Sequence, residues 1–339
     1  MKIYENIPLK SYNTFGLECS ADRMLAIKSE DEAVEMFKEK TAGDKPILIL
    51  GGGSNILFLS DFKGTVLYPE ITGRNIETSE DGHTIVSAGA GENWDDFVEW
   101  AVGNGFGGIE NLSLIPGKVG ATPIQNIGAY GVEVKDLIIK VSTISTCDGS
   151  VRMFSNEECE FDYRNSIFKN SEKGKYLVTR VWYKLSTNPV INLSYGSLSE
   201  EVDKLGTVNL KNIRQAVINI RRSKLPDPLI TGNAGSFFKN PVVPDSVAEN
   251  LRKEFTGMPV YSDKPGFSKL ASGWLIDQCG WKGKRQGDAG VHDKQALVLI
   301  NHGKATGKEI FELSAAIQKS VLDKFGIGLE REVEIVGSI

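Results

Sequence analysis

The chain has 339 residues, of which 40% are hydrophobic and 24% charged, and its formal net charge is −5. That is ordinary globular composition, long enough for two or three domains of about 150 residues each. It excludes a strongly basic nucleic-acid binder, since no basic cluster extends beyond Arg221–Lys224, and it excludes membrane-spanning helices, since no apolar run approaches the ~20 residues a bilayer requires.

The N-terminus, MKIYENIPLK, has no apolar core of the kind a secretory signal carries, so a cytoplasmic protein is the expectation. Cys19, Cys147, Cys159 and Cys279 are widely spaced and read as reduced thiols. His83, His292 and His302 do not have zinc-site spacing, so metal-free chemistry is expected.

In chain order, Ser29-x-x-Glu32 is a capping box that opens a helix through Phe37. Pro46–Leu50 is a short buried strand that runs into Gly51-Gly52-Gly53-Ser54-Asn55 and a second apolar run, Ile56–Leu59. Bare backbone N–H groups after a strand suit a phosphate. A hairpin turn is the equally plain alternative. The motif is neither a P-loop nor a dinucleotide fingerprint, because no GK[ST] and no helix follow.

Thr65–Tyr68 and Thr84–Ala88 read as strands, with a turn at Glu80-Asp81-Gly82. Asn93 caps a helix through Val102 whose apolar face is Trp94, Phe97, Val98 and Ala101. Val132–Thr146 is β-type, Asp148-Gly149 turns into Val151–Phe154, Ser155-x-x-Glu158 starts a short helix, and Tyr176–Leu185 is β again. Leu210–Arg222 is an amphipathic helix, stopped by Pro226 and Pro228, and a domain boundary falls near 215–230. Beyond it come a strand at Gly235–Asn240, helices near Ser246–Phe255 and Ser268–Cys279, a buried strand Ala296–Ile300, a long helix Thr306–Phe325 and a final strand Leu329–Val336.

Pro116–Gly131, PGKVGATPIQNIGAYG, stands out. It is rich in glycine and alanine, carries one charge at Lys118, and interleaves Val119, Ile124, Ile127 and Tyr130. Such a run is either a long surface loop or backbone wrapped around a planar or phosphorylated ligand, and the apolar residues favour the second. Ser236 lies among Gly232, Ala234 and Gly235, with room beside its hydroxyl, although a turn serine is the simpler reading. Arg164 lies in Tyr163-Arg164-Asn165-Ser166, where its fork suits a carboxylate, a phosphate or a surface ion pair. Strand alternation would set Glu330, Glu332 and Glu334 on one face, either solvated or holding a general acid.

The motifs in order are GGGSN, PGKVGATPIQNIGAYG, YRNSIFK, SYG, RRSKLPDP, GNAGSFFKNP, KLASGWLID, HDKQALVLIN and LEREVEI. This series closely resembles the UDP-N-acetylenolpyruvoylglucosamine reductase family, in its longer type I form, over roughly Tyr12 to Val336. The resemblance implies an α+β chain: an FAD-binding two-subdomain fold of the vanillyl-alcohol-oxidase (PCMH-type) class plus a C-terminal α+β substrate domain. It implies subdomains over 1–72 and 73–215 and a UDP-sugar domain over 216–334, with residues 335–339 returning to the first subdomain.

It further implies non-covalent FAD, NADPH as co-substrate, a UDP-sugar substrate, no nucleic-acid or membrane partner, and a monomer. NADPH would reduce FAD, hydride would pass to C3 of the enolpyruvyl ether, and C2 would be protonated, giving UDP-N-acetylmuramate for peptidoglycan. By resemblance Arg164 binds and polarises the substrate carboxylate, Ser236 gives the proton, and Glu332 supports Arg164 or the developing enol. Tyr195 and Lys224 would serve the diphosphate, with Asn240 nearby. Tyr130, Tyr261, Lys269 and Gln295 would line the rest of the UDP-sugar and nicotinamide site. FAD would lie against Gly51, Gly52, Gly53, Ser54, Asn55 and Ile56, and against Pro116, Gly117, Gly120, Ala121, Pro123, Gln125, Asn126 and Gly128. One departure is Glu334, which stands where the family's pattern has an arginine, and Arg331 would point to the opposite face from Glu332.

Overall fold

A computed structural model describes residues 1–80 and 82–338. Asp81 of the expected turn and Ile339 of the expected returning segment lie outside the described residues. The chain divides into two compact units. One comprises Met1–Ile7, Ala21–Gly52 and Lys63–Ser223; the other comprises Pro8–Ser20, Gly53–Phe62 and the chain from Lys224 onward.

The first unit holds two sheets. One orders the strands Lys2–Pro8, Ser20–Ile27, Phe62–Pro69 and Ile47–Ile49. The last two run parallel, with Ile47 opposite Thr65 and Ile49 opposite Leu67. The strand that follows Gly51–Asn55, Ile56–Phe58, does not pair with Ile47–Ile49, so Gly51–Asn55 is not the turn of a hairpin. The helix Glu30–Lys38 packs Ala33, Met36 and Phe37 against Leu25, Ile27 and Leu67. Its cap is as expected: the Ser29 hydroxyl accepts from the Glu32 amide at 3.1 Å. The Glu32 carboxylate reaches one residue further back than a capping box requires, to the Lys28 amide.

The other sheet orders Val151–Ser155, Ile138–Ser145, Tyr176–Ser186, His83–Gly89 and Arg74–Glu80, all antiparallel. The edge strand Arg74–Glu80 escaped the sequence reading because its side chains are almost all exposed and polar, which erases the apolar alternation. The expected run Val132–Thr146 is broken: a two-residue strand, Val132–Glu133, and a 3-10 turn, Val134–Asp136, precede the long strand. The Lys135 amide donates to the buried Asn126 side chain there, which takes the chain out of the ladder.

Beneath this sheet the helix Trp94–Gly103, capped by Asn93, packs Trp94 and Phe97 against the fully buried Tyr183. Tyr183 shares a 2.9 Å hydrogen bond with Thr122, so the Gly-rich stretch is pinned to the sheet. Two further helices, Leu198–Leu205 and Leu210–Lys224, close their own cluster through Leu198, Val202, Ile213, Ala216, Val217 and Ile220. The first of these was not foreseen.

The second unit is built around the helix Gly307–Phe325, whose stripe Ile310, Leu313, Ile317 and Val321 is fully buried. Thr306 and Glu309 form a complete capping box at its start. Around it lie a four-stranded sheet (Gly232–Ser236, Val298–Asn301, Ala289–Val291, Arg285–Gln286) and a three-stranded one (Val242–Pro244, Phe267–Leu270, Val260–Ser262). Several sequence boundaries move. The strand expected at 235–240 is Gly232–Ser236, and the helix expected from Ser268 starts at Ser272, because Ser268 and Lys269 pair in the three-stranded sheet.

The final strand is Glu334–Val336, parallel to Ile56–Phe58. Residues before it form a single bridge, Phe238 with Arg331. Leu329–Val336 is therefore not one continuous strand, and simple alternation does not place its three glutamates on one face.

Candidate active site

In the first unit the chain assembles glycine loops backbone against backbone. A Cβ on Gly52 would lie 2.8 Å from the Gly117 Cα, and one on Gly51 would lie 3.6 Å from the Ala121 Cβ. The Val119 and Gly120 amides donate at 2.9 Å to the carbonyls of Glu92 and Ala90, and the Trp94 amide donates to Gly117. A Cβ on Gly120 would lie 2.6 Å from that of Ala90. Three segments (Gly51–Gly52, Ala90–Glu92 and Gly117–Ala121) thus stack closely, with little more than the alanine methyls of Ala90 and Ala121 at their contacts. The middle one was missed, because an alanine-glycine run at a strand end looks like any turn.

Glycine at Gly52 is demanded by a neighbour's backbone and not by a turn alone; side-chain-poor backbone of this kind is compatible with the expected flavin nucleotide. Gly53 continues the motif inside the second unit, with φ +63° and a would-be Cβ only 2.0 Å from the Tyr12 carbonyl oxygen. Neither Gly52 nor Gly53 accepts a side chain.

Asn126 ends the short helix Thr122–Gln125 in a left-handed conformation (φ +45°) and is fully buried. Its Nδ2 donates to Glu133 and to the Asp162 carbonyl, and its Oδ1 accepts from the Lys135 amide. The side chain expected near the cofactor is thus committed to the protein. What it holds is the turn Asp162–Asn165, whose end residues exchange two 3.1 Å backbone hydrogen bonds. Arg164 sits in that turn at φ +52°, strained for a residue with a side chain. Its guanidinium donates to the Gly128 carbonyl at 2.5 Å and to the Asn126 carbonyl at 3.3 Å, and lies 5.2 Å from the Tyr163 ring. The structure therefore brings Arg164 against the Gly-rich stretch, 36 residues away in sequence.

Tyr130, also left-handed at φ +49°, meets Tyr195 edge to face at 5.9 Å. Burial raises the Tyr130 hydroxyl above its ordinary value, opposed by the charge of Arg221. Arg221 donates its Nε to the Leu114 carbonyl at 3.1 Å, and burial draws its guanidinium below its usual range. In the sequence Arg221 is no more than part of the basic run Arg221–Lys224. A second omission is Arg214, which forms a two-pronged pair with Asp95 at 2.5 and 3.0 Å. Burial pushes the Asp95 carboxyl up, but hydrogen bonds from Arg214 and the Leu114 amide outweigh it, and the net shift is down. The partners are 119 residues apart, beyond the reach of any local pattern.

In the second unit Ser236 follows a bulge. Gly235 has φ +67° and donates its amide to the Asn233 side chain at 2.9 Å, and the register slips between Asn233 and Ser236. Bulges re-aim side chains, and here Ser236 is exposed while Phe237 and Phe238 are buried. The Glu332 amide donates to the Phe237 carbonyl at 2.9 Å, so the terminal segment runs beside the serine. Asn55 grips that segment twice. Its side chain donates to the Glu332 carbonyl at 3.1 Å, and its own carbonyl accepts from the Glu334 amide at 3.0 Å. Asn55 thus anchors the Glu332 backbone. Arg331 packs toward the long helix, with its Nε on Ser314 at 2.8 Å and its guanidinium 4.2 Å from the Phe311 ring.

The remaining candidates form two groups. Tyr261 lies opposite Lys269 in the three-stranded sheet, and Lys269 pairs with Asp263 at 2.9 Å. Asn240 accepts from the Ser272 amide at 3.0 Å, and Gln295 Oε1 lies where a Cβ on Gly273 would come within 2.9 Å, so both sit at the start of the helix Ser272–Gln278. Lys224 is exposed. Among the described residues no helix is long and apolar enough to cross a membrane.

Known proteins are similar along the whole chain. Residues 227–336 match the family described as UDP-N-acetylenolpyruvoylglucosamine reductase, C-terminal domain, and residues 21–155 match the FAD binding domain family. The reductase of Flavobacterium johnsoniae is 47% identical over 339 residues, covering 99% of this chain and 100% of that protein. A Bacteroides fragilis reductase is 46% identical over 328 residues, covering 97% and 98%. The crystal structure of UDP-N-acetylenolpyruvylglucosamine reductase (MurB) from Thermus caldophilus aligns with TM-score 0.69 at 26% identity, covering 99% of this chain and 100% of that one. The expected α+β fold, with an FAD-binding portion followed by a reductase-specific C-terminal domain, is therefore present. With its cradle of stacked glycine loops and this end-to-end similarity, the chain belongs to the UDP-N-acetylenolpyruvoylglucosamine reductase family, the flavin-binding oxidoreductases of that name.

Proposed function

We propose that the protein reduces UDP-N-acetylglucosamine enolpyruvate to UDP-N-acetylmuramate with NADPH, in the cytoplasm and as a monomer, serving peptidoglycan synthesis and with it cell shape and division. The reading takes residues 1–72 and 73–215 as FAD-binding subdomains and 216–334 as the substrate domain. FAD, when bound, would be held by the Gly51–Ile56 and Pro116–Gly128 residues and would supply hydride transfer between NADPH and C3 of the enolpyruvyl group.

Each residue then has a task set by charge. Hydride addition at C3 leaves negative charge on C2 and its carboxylate. Arg164 binds that carboxylate; its guanidinium is pre-oriented by the Gly128 and Asn126 carbonyls, so little reorganisation accompanies the reaction. Ser236 delivers the proton to C2, and its exposure past the Gly235 bulge suits a donor that must meet substrate. Glu332 supports Arg164 or the enol. Tyr195 and Lys224 serve the diphosphate, with Asn240 nearby, and Tyr130, Tyr261, Lys269 and Gln295 line the sugar nucleotide and nicotinamide site. The cofactor set is Gly51–Ile56 with Pro116, Gly117, Gly120, Ala121, Pro123, Gln125, Asn126 and Gly128.

The observation that carries the reading most is the 2.9 Å bond from the Glu332 amide to Phe237. It brings a carboxylate-bearing segment to the residue beside Ser236 across 95 positions of sequence, as the proton-donor chemistry needs. The test is optical. Purified protein should be yellow, bleach with NADPH, and regain colour on adding the enolpyruvyl sugar nucleotide. A protein that bleaches but never recovers with that substrate would refute the reading.

A further inference from the structure

Asn111 belongs to none of the motifs above, yet it is 1% exposed and ties two separate segments together. Its Nδ2 donates to the Tyr130 carbonyl at 2.9 Å and to the Asn192 carbonyl at 3.0 Å. Its Oδ1 is buried with no hydrogen-bond partner among the described residues. The orientation is nonetheless dictated: the two carbonyls can only accept, so the amide nitrogen must face them and the oxygen is left over. A buried acceptor without a partner is costly, and it persists where the donors do something the fold needs.

What they hold is a pair of tyrosines. Tyr130 is in the left-handed region, where a side chain is strained unless its surroundings enforce it. Asn192 lies in a stretch without helix or strand, 188–196, that carries Tyr195. Within that stretch the Asn192 side chain accepts from the Ser194 amide and hydroxyl, which turns the chain toward Tyr195. Gly131 leaves the space: a Cβ there would lie 3.3 Å from Asn192 Nδ2 and 3.9 Å from the Tyr195 Cβ. Half-buried Ile191 and Leu193 pack on the cluster that also receives Tyr130. One side-chain amide thus clamps the backbones on which the two rings meet at 5.9 Å.

We propose that Asn111 is a positioning residue for the sugar-nucleotide substrate, acting through the Tyr130–Tyr195 pair. This rests on the proposed function, in which those tyrosines bind that substrate. Asn111 touches neither substrate nor flavin; it sets the register of two loops, one strained and one irregular, so that two rings form one surface. Loss of the clamp leaves both residues in place but lets Tyr195 drift, and misplacement by an ångström is enough to lower a reaction rate by up to about a hundredfold.

The test uses the FAD-loaded full chain with Asn111→Leu, which keeps the volume and removes the donors. FAD content should match the wild type, while KM for the enolpyruvyl sugar nucleotide rises by about tenfold or more. Tyr195→Ala should raise KM similarly, and the double variant should be no worse than Tyr195→Ala alone, because one residue acts through the other. Additive effects of the two changes, or a wild-type KM in Asn111→Leu, would overturn the proposal. Should Asn111→Leu not fold, Gly131→Ala, which pushes on Asn192 directly, should give the same KM rise, and its failure to do so would equally overturn it. If wild-type enzyme bleaches with NADPH but does not recover with this substrate, it is the proposed function that falls.

Discussion

Arg164 Nη2 lies 2.5 Å from the carbonyl oxygen of Gly128. An arginine in a strained turn is thereby joined to a glycine in the most side-chain-poor stretch of the chain. The contact depends on the glycine, since a Cβ on Gly128 would come within 2.9 Å of Arg164 Nη1 and 3.0 Å of the Val132 carbonyl oxygen. Gly128→Ala should therefore displace the guanidinium. Overpacking of this kind costs about 1–3 kcal/mol. Gly128 also belongs to the proposed FAD set, so both rates are referred to bound flavin; per flavin, we expect reoxidation by the sugar nucleotide to slow at least about tenfold more than bleaching by NADPH. Stopped-flow absorbance of the two half-reactions checks this, and equal slowing of both would contradict it.

Ser236→Ala separates the same half-reactions by a different route. It removes a proton donor at an exposed position and leaves the bulge at Gly235 in place. Reduction of flavin by NADPH should be unchanged. Reoxidation by the enolpyruvyl substrate should slow by about 10²–10³-fold, the usual effect of removing one preorganised donor.

Gly52→Ala should abolish the colour of the protein before it abolishes the fold. The new methyl would meet the Gly117 backbone at 2.8 Å, and backbone cannot step aside as a flexible side chain can. The two loops must separate, and the cradle widens. Flavin content after purification, read as the ratio of visible to ultraviolet absorbance, should drop by about tenfold or more, given an overpacking strain of ~1–3 kcal/mol.

The Asp95–Arg214 pair predicts a pH dependence of stability. The Asp95 carboxyl is net depressed in the folded state. A depressed carboxyl contributes stability above its unfolded value, near 4, and loses that contribution as pH falls through the lower folded value. Melting temperature should thus fall on acidification below about pH 4. In Asp95→Asn it should be lower at neutral pH and flatter across that window. Arg214→Leu should cost more than Asp95→Asn, on the order of 1–3 kcal/mol, because it leaves a half-buried carboxylate with only the Leu114 amide; chemical denaturation measures this.

Thr306→Ala should cost about 1 kcal/mol without touching activity. The Thr306 hydroxyl accepts from the Glu309 amide at 3.2 Å, and the Glu309 carboxylate answers at the Thr306 amide at 2.7 Å. Removing one half of that exchange loosens the start of the core helix only.

Much of the local structure was legible because its causes are local. Ser29 and Asn93 cap helices since a short side-chain acceptor meets orphan amides two or three residues on. The stripe Ile310, Leu313, Ile317 and Val321 announces its helix through a period of 3.6. The order of motifs identified the family, because nine short patterns in sequence leave little room for coincidence.

Other features exist only once the chain is folded. The edge strand Arg74–Glu80 has no apolar period to reveal it; its neighbour defines it. The final strand is shorter than its alternation implied, since Glu332 spends its backbone on Phe237 and Asn55 before the ladder with Ile56–Phe58 begins. Sequence composition showed that Gly52 and Gly120 were glycines, but Gly117 and Ala90 are the reason they must be. Asn111, Arg214 and Arg221 were silent for the same physical cause. Hydrogen bonds between distant segments carry no periodicity, so the amide that holds two tyrosines and the arginine that neutralises Asp95 become visible only when tertiary packing brings their partners within 3 Å or so.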